Sequence, residues 1–131
     1  MKTVFVVDDD PSHLKIIELQ LKHLGYEVIT FTSGKPMLDK LSDAPYAIIL
    51  DHFLREEKTG SEYLEEIRRR LPKVPVIYMT SVNDEETIKG IYEKGAYGYI
   101  EKNGASQVRL RTLLDEISDQ QNKNWIKKLF S

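Results

Sequence analysis

The sequence predicts a doubly wound α/β domain: five parallel strands in the order 2-1-3-4-5, with five helices distributed over both faces of the sheet. Three observations carry this. Segments Val4–Val7, Tyr46–Leu50 and Val74–Met79 are near-continuous apolar runs of strand length. Segments Tyr26–Phe31 and Tyr97–Glu101 mix apolar and polar residues. Between these five runs lie stretches with helical spacing, so strand and helix alternate strictly, which demands right-handed crossovers and a parallel sheet. Strands apolar on both faces belong inside such a sheet and mixed strands at its edges. The first, third and fourth strands are therefore central and the second and fifth are edges, which is the flavodoxin-like order.

Each helix has its own justification. Asp10 before Pro11 marks the start of the first, Leu14, Ile17, Leu21 and Leu24 repeat at helical spacing, and Gly25 ends it. Lys35 to Leu41 is a shorter, weaker helix. In the third, Thr59 and Glu62 are spaced as a capping box ahead of Leu64, Ile67 and Leu71, and Arg68–Arg70 complement the negative carboxyl end of the dipole. Asn83 and Glu86 have the same spacing before Ile88, Ile91 and Tyr92, Asp84, Glu85 and Glu86 suit a positive helix start, and Gly95 ends this fourth helix. The fifth is drawn by Leu110, Leu113, Leu114 and Ile117. In the tail, Trp125, Ile126, Leu129 and Phe130 interleave with Lys123, Lys127 and Lys128. The expected organisation is one domain over residues 1–120, with 121–131 as an amphipathic helical extension packed back on it. A partner or dimer contact and a weak membrane-surface helix are the other fates this pattern suits.

Composition narrows the chemistry. With 131 residues there is room for one ordinary domain. Nineteen Lys and Arg against 21 Asp and Glu leave no basic excess for nucleic acid, so direct nucleic-acid binding is not expected. No apolar run approaches the roughly 18 residues that span a bilayer, and no secretory leader is visible, so the cytoplasm is the default location. Without cysteine, thiol nucleophiles and thiolate metal sites are excluded.

In a sheet of this kind ligands bind beyond the carboxyl ends of the strands, near the switch point. Asp8 and Asp9 follow the first strand, Asp51 the third, Thr80 and Ser81 the fourth and Lys102 the fifth. Three converging carboxylates repel one another by about 4 kcal/mol per pair at 4 Å and an effective dielectric of 20, so they call for a cation. Oxygen-only donors select a hard ion, Mg²⁺ or Mn²⁺. Such an ion beside a carboxylate, with a hydroxyl and an ammonium opposite, is what phosphoryl transfer requires, and the carboxylate can itself be the nucleophile.

VFVVDDDP, AIILD, VIYMTS and GAYGYIEK together resemble the response-regulator receiver domain of two-component histidine-to-aspartate phosphorelays, over roughly residues 2 to 120. The resemblance implies Asp51 as phosphoacceptor, Asp9 binding the metal directly and Asp8 through water, and the backbone carbonyl of Phe53 as the third protein ligand. It further implies that Thr80 and Lys102 hold phosphoryl oxygens and that Tyr99 is the aromatic switch. A sensor histidine kinase or histidine phosphotransfer protein would supply the phosphoryl group. Output to an unknown downstream protein, or a dimer, would run through helix four, strand five and helix five, without turnover of an external substrate. The 29 residues after Lys102 are too few for a helix-turn-helix domain, unless the chain is a fragment of a longer regulator.

The chain departs from the family pattern in three places. DHFLREEKTG is one residue longer than usual and has Arg55 where a Pro is common, which suggests a more mobile loop. Asn103 replaces the usual Pro after Lys102, so that peptide bond is expected to be trans. Phe53 and Val82 are both apolar, from which slow self-dephosphorylation is expected.

Among the histidines, His52 is read as a packing or loop residue, while His13 and His23 are read as helix-one surface residues, with His13 near enough to the rim to meet a docking partner. Three rivals remain: a receiver-like binding module that works without phosphorylation, a flavin or nucleotide enzyme on the same fold, and a Mg²⁺-dependent phosphatase. The flavin reading lacks a glycine-rich cradle, and the phosphatase lacks room for a cap domain.

Overall fold

A computed structural model describes residues 2–81 and 83–130. The elements in chain order are β1 (Thr3–Val7), α1 (Pro11–His23), β2 (Glu27–Phe31), α2 (Gly34–Asp39), β3 (Ala47–Leu50), α3 (Gly60–Arg70), β4 (Val76–Thr80), α4 (Glu85–Glu93), β5 (Gly98–Glu101) and α5 (Ser106–Phe130). The strands form one parallel sheet in the order β2-β1-β3-β4-β5, as the apolar pattern predicts. Every residue of β3 and β4 is buried.

The register brings the chemistry to one edge. Val7 lies beside Phe31 and Leu50, Leu50 beside Tyr78, and Thr80 beside Glu101. Backbone bonding continues one residue beyond the strands: the Asp8 amide donates to the Phe31 carbonyl, Asp51 to Val7 and Lys102 to Thr80, each at 3.0 Å. Three of the functional candidates are thus anchored by the sheet ladder rather than by free loops.

Two cores flank the sheet. On one face Leu14, Ile17 and Leu21 of α1 and Leu110, Leu113, Leu114 and Ile117 of α5 pack on Val4, Val6, Ile49 and Ile77. On the other, Met37 and Leu38 of α2, Leu64 and Ile67 of α3 and Ile91 of α4 cover Phe5, Val7, Ile48 and Leu50. Arg68 ties α3 to the end of α4, its guanidinium donating to the Leu71, Pro72 and Gly95 carbonyls.

The caps follow expectation at two helices and differ at a third. The Asp10 side chain accepts from the Ser12 amide with Pro11 behind it, and Thr59 and Glu62 form a reciprocal capping box. At α4 the cap is Asp84, not Asn83: its carboxylate accepts from the Thr87 amide at 2.9 Å and the Thr87 hydroxyl at 3.0 Å. The helix starts one residue later, where an anion meets the positive end of the dipole, and Asn83 donates to Glu101 instead. The second helix ends at Asp39 and is followed by a 3₁₀ turn over Leu41–Asp43, rather than running to Leu41.

The tail is a helical extension that does not pack back. The fifth helix is continuous for 25 residues, yet every described residue from Asp119 on is exposed, with Trp125 63% and Phe130 84% accessible. The helix runs past the packed part of the domain, since Gln121, Asn124 and Lys128, in phase with the buried stripe, are exposed too. At 3.6 residues per turn the Trp125, Ile126, Leu129 and Phe130 face is also rotated roughly 140° from the Leu110 to Ile117 stripe.

Candidate functional site

Asp8, Asp9 and Asp51 each offer a carboxylate oxygen within 4.8 Å of the others. Asp8 and Asp51 are 2% and 4% accessible and Thr80 is fully buried, so these polar groups have been drawn from water into one small volume. Lys102 Nζ spans the buried pair, 2.9 Å from Asp8 Oδ2 and 3.1 Å from Asp51 Oδ2. The Lys102–Asn103 bond is trans, like every described peptide bond, and the ammonium still reaches the acceptor carboxylate.

The two buried acids are held differently. Burial works against charge on Asp8, but hydrogen bonds from His13, the Asp10 amide and Lys102 outweigh it and hold its carboxyl at about 2. Burial together with the Asp8 charge pushes the Asp51 carboxyl up, against the pull of Lys102 and the His52 amide. Lys102 itself is shifted up because its carboxylate partners overcome its burial. Asp8 is thus the firm anion of the pair, whereas Asp51 has the more basic carboxylate.

Close packing fixes the backbone behind Asp51. The Gly60 amide donates to the His52 carbonyl at 2.9 Å, closing the longer loop onto the strand end. A Cβ at position 60 would lie 2.1 Å from the Asp51 carbonyl oxygen and 2.9 Å from the Tyr78 hydroxyl, so only glycine permits this approach. His52 turns away from the acids, as expected, with Nδ1 2.5 Å from the Tyr78 hydroxyl. The loop is also pinned at its middle, where Glu56 accepts from the Gly34 amide at 3.0 Å.

Two participants were not legible as such in the sequence. His13, read as a surface residue, has Nδ1 2.5 Å from Asp8 Oδ2. Its position on the first turn of a helix that begins directly behind the acidic run was the available signal. Arg55 forms an ion pair with Asp9, Nε to Oδ2 at 2.8 Å, from a left-handed backbone (φ 49°). No sequence signal reports that contact, because it depends on the course of the loop. Tyr99 is half-buried on β5, paired in register with Tyr78, and burial with the nearby Glu101 and Tyr92 pushes its hydroxyl up. Phe53 begins the loop with an exposed ring set edge-on to His52 at 4.7 Å, while Val82 lies outside the described residues.

The donor set fits a hard divalent ion: it is all oxygen and anionic, with Asp9 its least buried member and the cations Lys102 and Arg55 beside it. A groove of about 510 Å³ opens next to it between α1 and the start of α5, lined among others by His13, Ile16, Gln20, Lys102 and Gln107.

Comparison with known proteins follows the same lines. Residues 4–115 match the family described as the response regulator receiver domain. The chain is 33% identical over 98 residues to the DNA-binding transcriptional regulator NtrC of Klebsiella pneumoniae, covering 75% of this chain and 21% of that protein. It is 32% identical over 99 residues to the transcriptional regulatory protein ZraR of Klebsiella oxytoca, covering 76% and 22%. It therefore spans about a fifth of the length of these curated relatives. Among solved structures, the BeF3-activated receiver domain of DrrB from Thermotoga maritima superposes with a TM-score of 0.77 at 30% identity, over 88% of this chain and 98% of that one.

Proposed function

The chain belongs to the response-regulator receiver family of two-component signalling, and from that premise we propose that Asp51 is its phosphoacceptor. The observation that carries this is the buried Asp51 carboxylate at the end of β3, 3.1 Å from the Lys102 ammonium and grouped with Asp8 and Asp9. A carboxylate oxygen of Asp51 attacks the phosphorus of a phosphohistidine. The P–N bond breaks as the P–O bond of an acyl phosphate forms, and the imidazole leaves with its electron pair. Lys102 balances charge on one phosphoryl oxygen, and the Thr80 hydroxyl donates to another, which biases Tyr99 and the α4–β5–α5 surface toward a signalling arrangement. Asp8, Asp9, Asp51 and the Phe53 carbonyl would hold Mg²⁺ or Mn²⁺. Such an ion, when bound, neutralises charge that builds on the transferring oxygens.

The donor in this reading is a sensor histidine kinase or histidine phosphotransfer protein. The groove beside α1, with Ile16 and Leu19 exposed along that helix, suits a helix bearing the donor imidazole. Output runs through contacts of α4, β5 and α5 with a downstream protein or a second copy. The chain turns over no external substrate. A cytoplasmic setting follows from the family's role, and among the described residues no helix is long and apolar enough to cross a membrane.

Intact-mass analysis after incubation with acetyl phosphate or phosphoramidate and Mg²⁺ tests the proposal. One added phosphoryl group, lost in Asp51→Asn and on chelation of the metal, supports it. A second reading, a receiver-like module that binds partners without phosphorylation, is favoured by Arg55 sitting on Asp9. The absence of any adduct, with partner binding unchanged in Asp51→Asn, would select that reading.

A further inference from the structure

We infer that Arg55 is a resident counter-cation of the acidic site, which a divalent ion must displace from Asp9 and which therefore sets how tightly the site takes that ion. The inference rests on the reading of Asp8, Asp9 and Asp51 as the metal ligands.

Its basis is the division of cations over the three acids. Lys102 serves Asp8 and Asp51, and His13 serves Asp8. Asp9, the most accessible of the three, is paired instead with the Arg55 guanidinium at 2.8 Å. This pairing depends on how the loop is held. Glu56, the next residue, is fastened to the Gly34 amide at the start of α2, and the Gly60 amide closes the loop on His52. Between these fixed points Arg55 takes a left-handed backbone (φ 49°), a conformation uncommon for a residue with a side chain, and this turns the guanidinium back over the carboxyl edge. The Asp9 oxygen paired with Arg55 cannot at the same time complete the shell of a small, strictly coordinated ion. Metal entry and the Arg55 contact therefore compete for the same acid. Because the Arg55 side chain is 86% accessible, its pair with Asp9 is weak and readily exchanged. It tunes affinity rather than blocking the site.

The test is calorimetric titration of the whole chain with MgCl₂, which needs no phosphorylation. Arg55→Gly removes the guanidinium while suiting the left-handed backbone, and Lys58→Ala removes a cation from the same loop that pairs with Glu66 rather than with the site. The expected result is Mg²⁺ affinity raised about two- to fivefold in Arg55→Gly, the scale of an exposed ion pair, with Lys58→Ala like the parent and Arg55→Lys in between. A purely structural loop role would lower thermal stability in Arg55→Gly with and without Mg²⁺ and leave affinity unchanged. Equal or weaker Mg²⁺ binding in Arg55→Gly than in the parent overturns the inference while leaving the metal-site reading intact. An equal rise in Lys58→Ala overturns it too, since general charge would then suffice. If the parent and Arg55→Gly both take up no Mg²⁺, the metal-site reading fails and the inference falls with it.

Discussion

Lys102 and Asp51, 51 residues apart in the chain, meet at 3.1 Å because the ladder between β4 and β5 extends one residue beyond the strands and carries Lys102 level with the end of β3. The same ammonium reaches Asp8, so one cation serves two buried anions.

Removing it should therefore expose their repulsion. Lys102→Ala is expected to lower metal-free stability by about 1–2 kcal/mol, less than for a fully buried pair because the lysine is a quarter accessible. Urea denaturation with and without Mg²⁺ checks this, and the loss should shrink when the ion is present. Identical metal-free stabilities would show that Lys102 carries no electrostatic share of the fold.

Asp51→Asn should raise the metal-free melting temperature at neutral pH. Burial and the Asp8 charge push the Asp51 carboxyl up. The folded state thus holds that proton more firmly than the unfolded chain does, and the stability this gives is lost as pH rises from the unfolded value through the folded one. Below the unfolded value near 3.8 both states are protonated and the advantage of Asn disappears. Asp8 acts in the opposite sense: with its carboxyl held at about 2, it contributes stability that is present above the unfolded value and lost as pH falls from there toward 2. Thermal melts of both proteins across this acid range give the two slopes, and an Asn variant less stable than the parent at pH 7 would contradict the assignment.

Gly60→Ala is expected to cost about 2–3 kcal/mol, the scale of overpacking a tight site. The new methyl would run into the Asp51 carbonyl, which is backbone and cannot swing aside. Chemical denaturation measures the cost. Phosphorylation by acetyl phosphate should fall in the same variant, because the acceptor moves with its carbonyl. A stability change under about 0.5 kcal/mol, typical of an unconstrained surface position, would mean that the loop closes differently.

Truncation after residue 119 should leave stability within about 0.5 kcal/mol of the whole chain, because residues 120–130 are an exposed stretch of α5. Trp125, which is 63% accessible, should show solvent-exposed emission before truncation. A loss of several kcal/mol, or blue-shifted emission at micromolar concentration, would show that this face is covered in solution.

The alternation of strand and helix, the central and edge strands and the acids at the strand ends were all determined by sequence alone. Apolar periodicity reports which faces are buried, and a parallel sheet must bring its carboxyl ends together. The capping box at Thr59 and the Asp10 cap were legible for a similar reason, since each is settled within four residues. Tertiary structure decided what depends on the path of a loop or on how far a long helix runs past its packing partners. Arg55 reaches Asp9 from a stretch of loop between His52, bonded by the Gly60 amide, and Glu56, bonded to the Gly34 amide, and His13 reaches Asp8 from the first turn of α1. The tail's apolar residues stay exposed because the fifth helix runs past the elements it packs on, so that every face of it is exposed from Asp119 to Phe130. Local spacing encodes period and cap chemistry, whereas contacts between separate segments follow from the relative placement of elements packed in three dimensions.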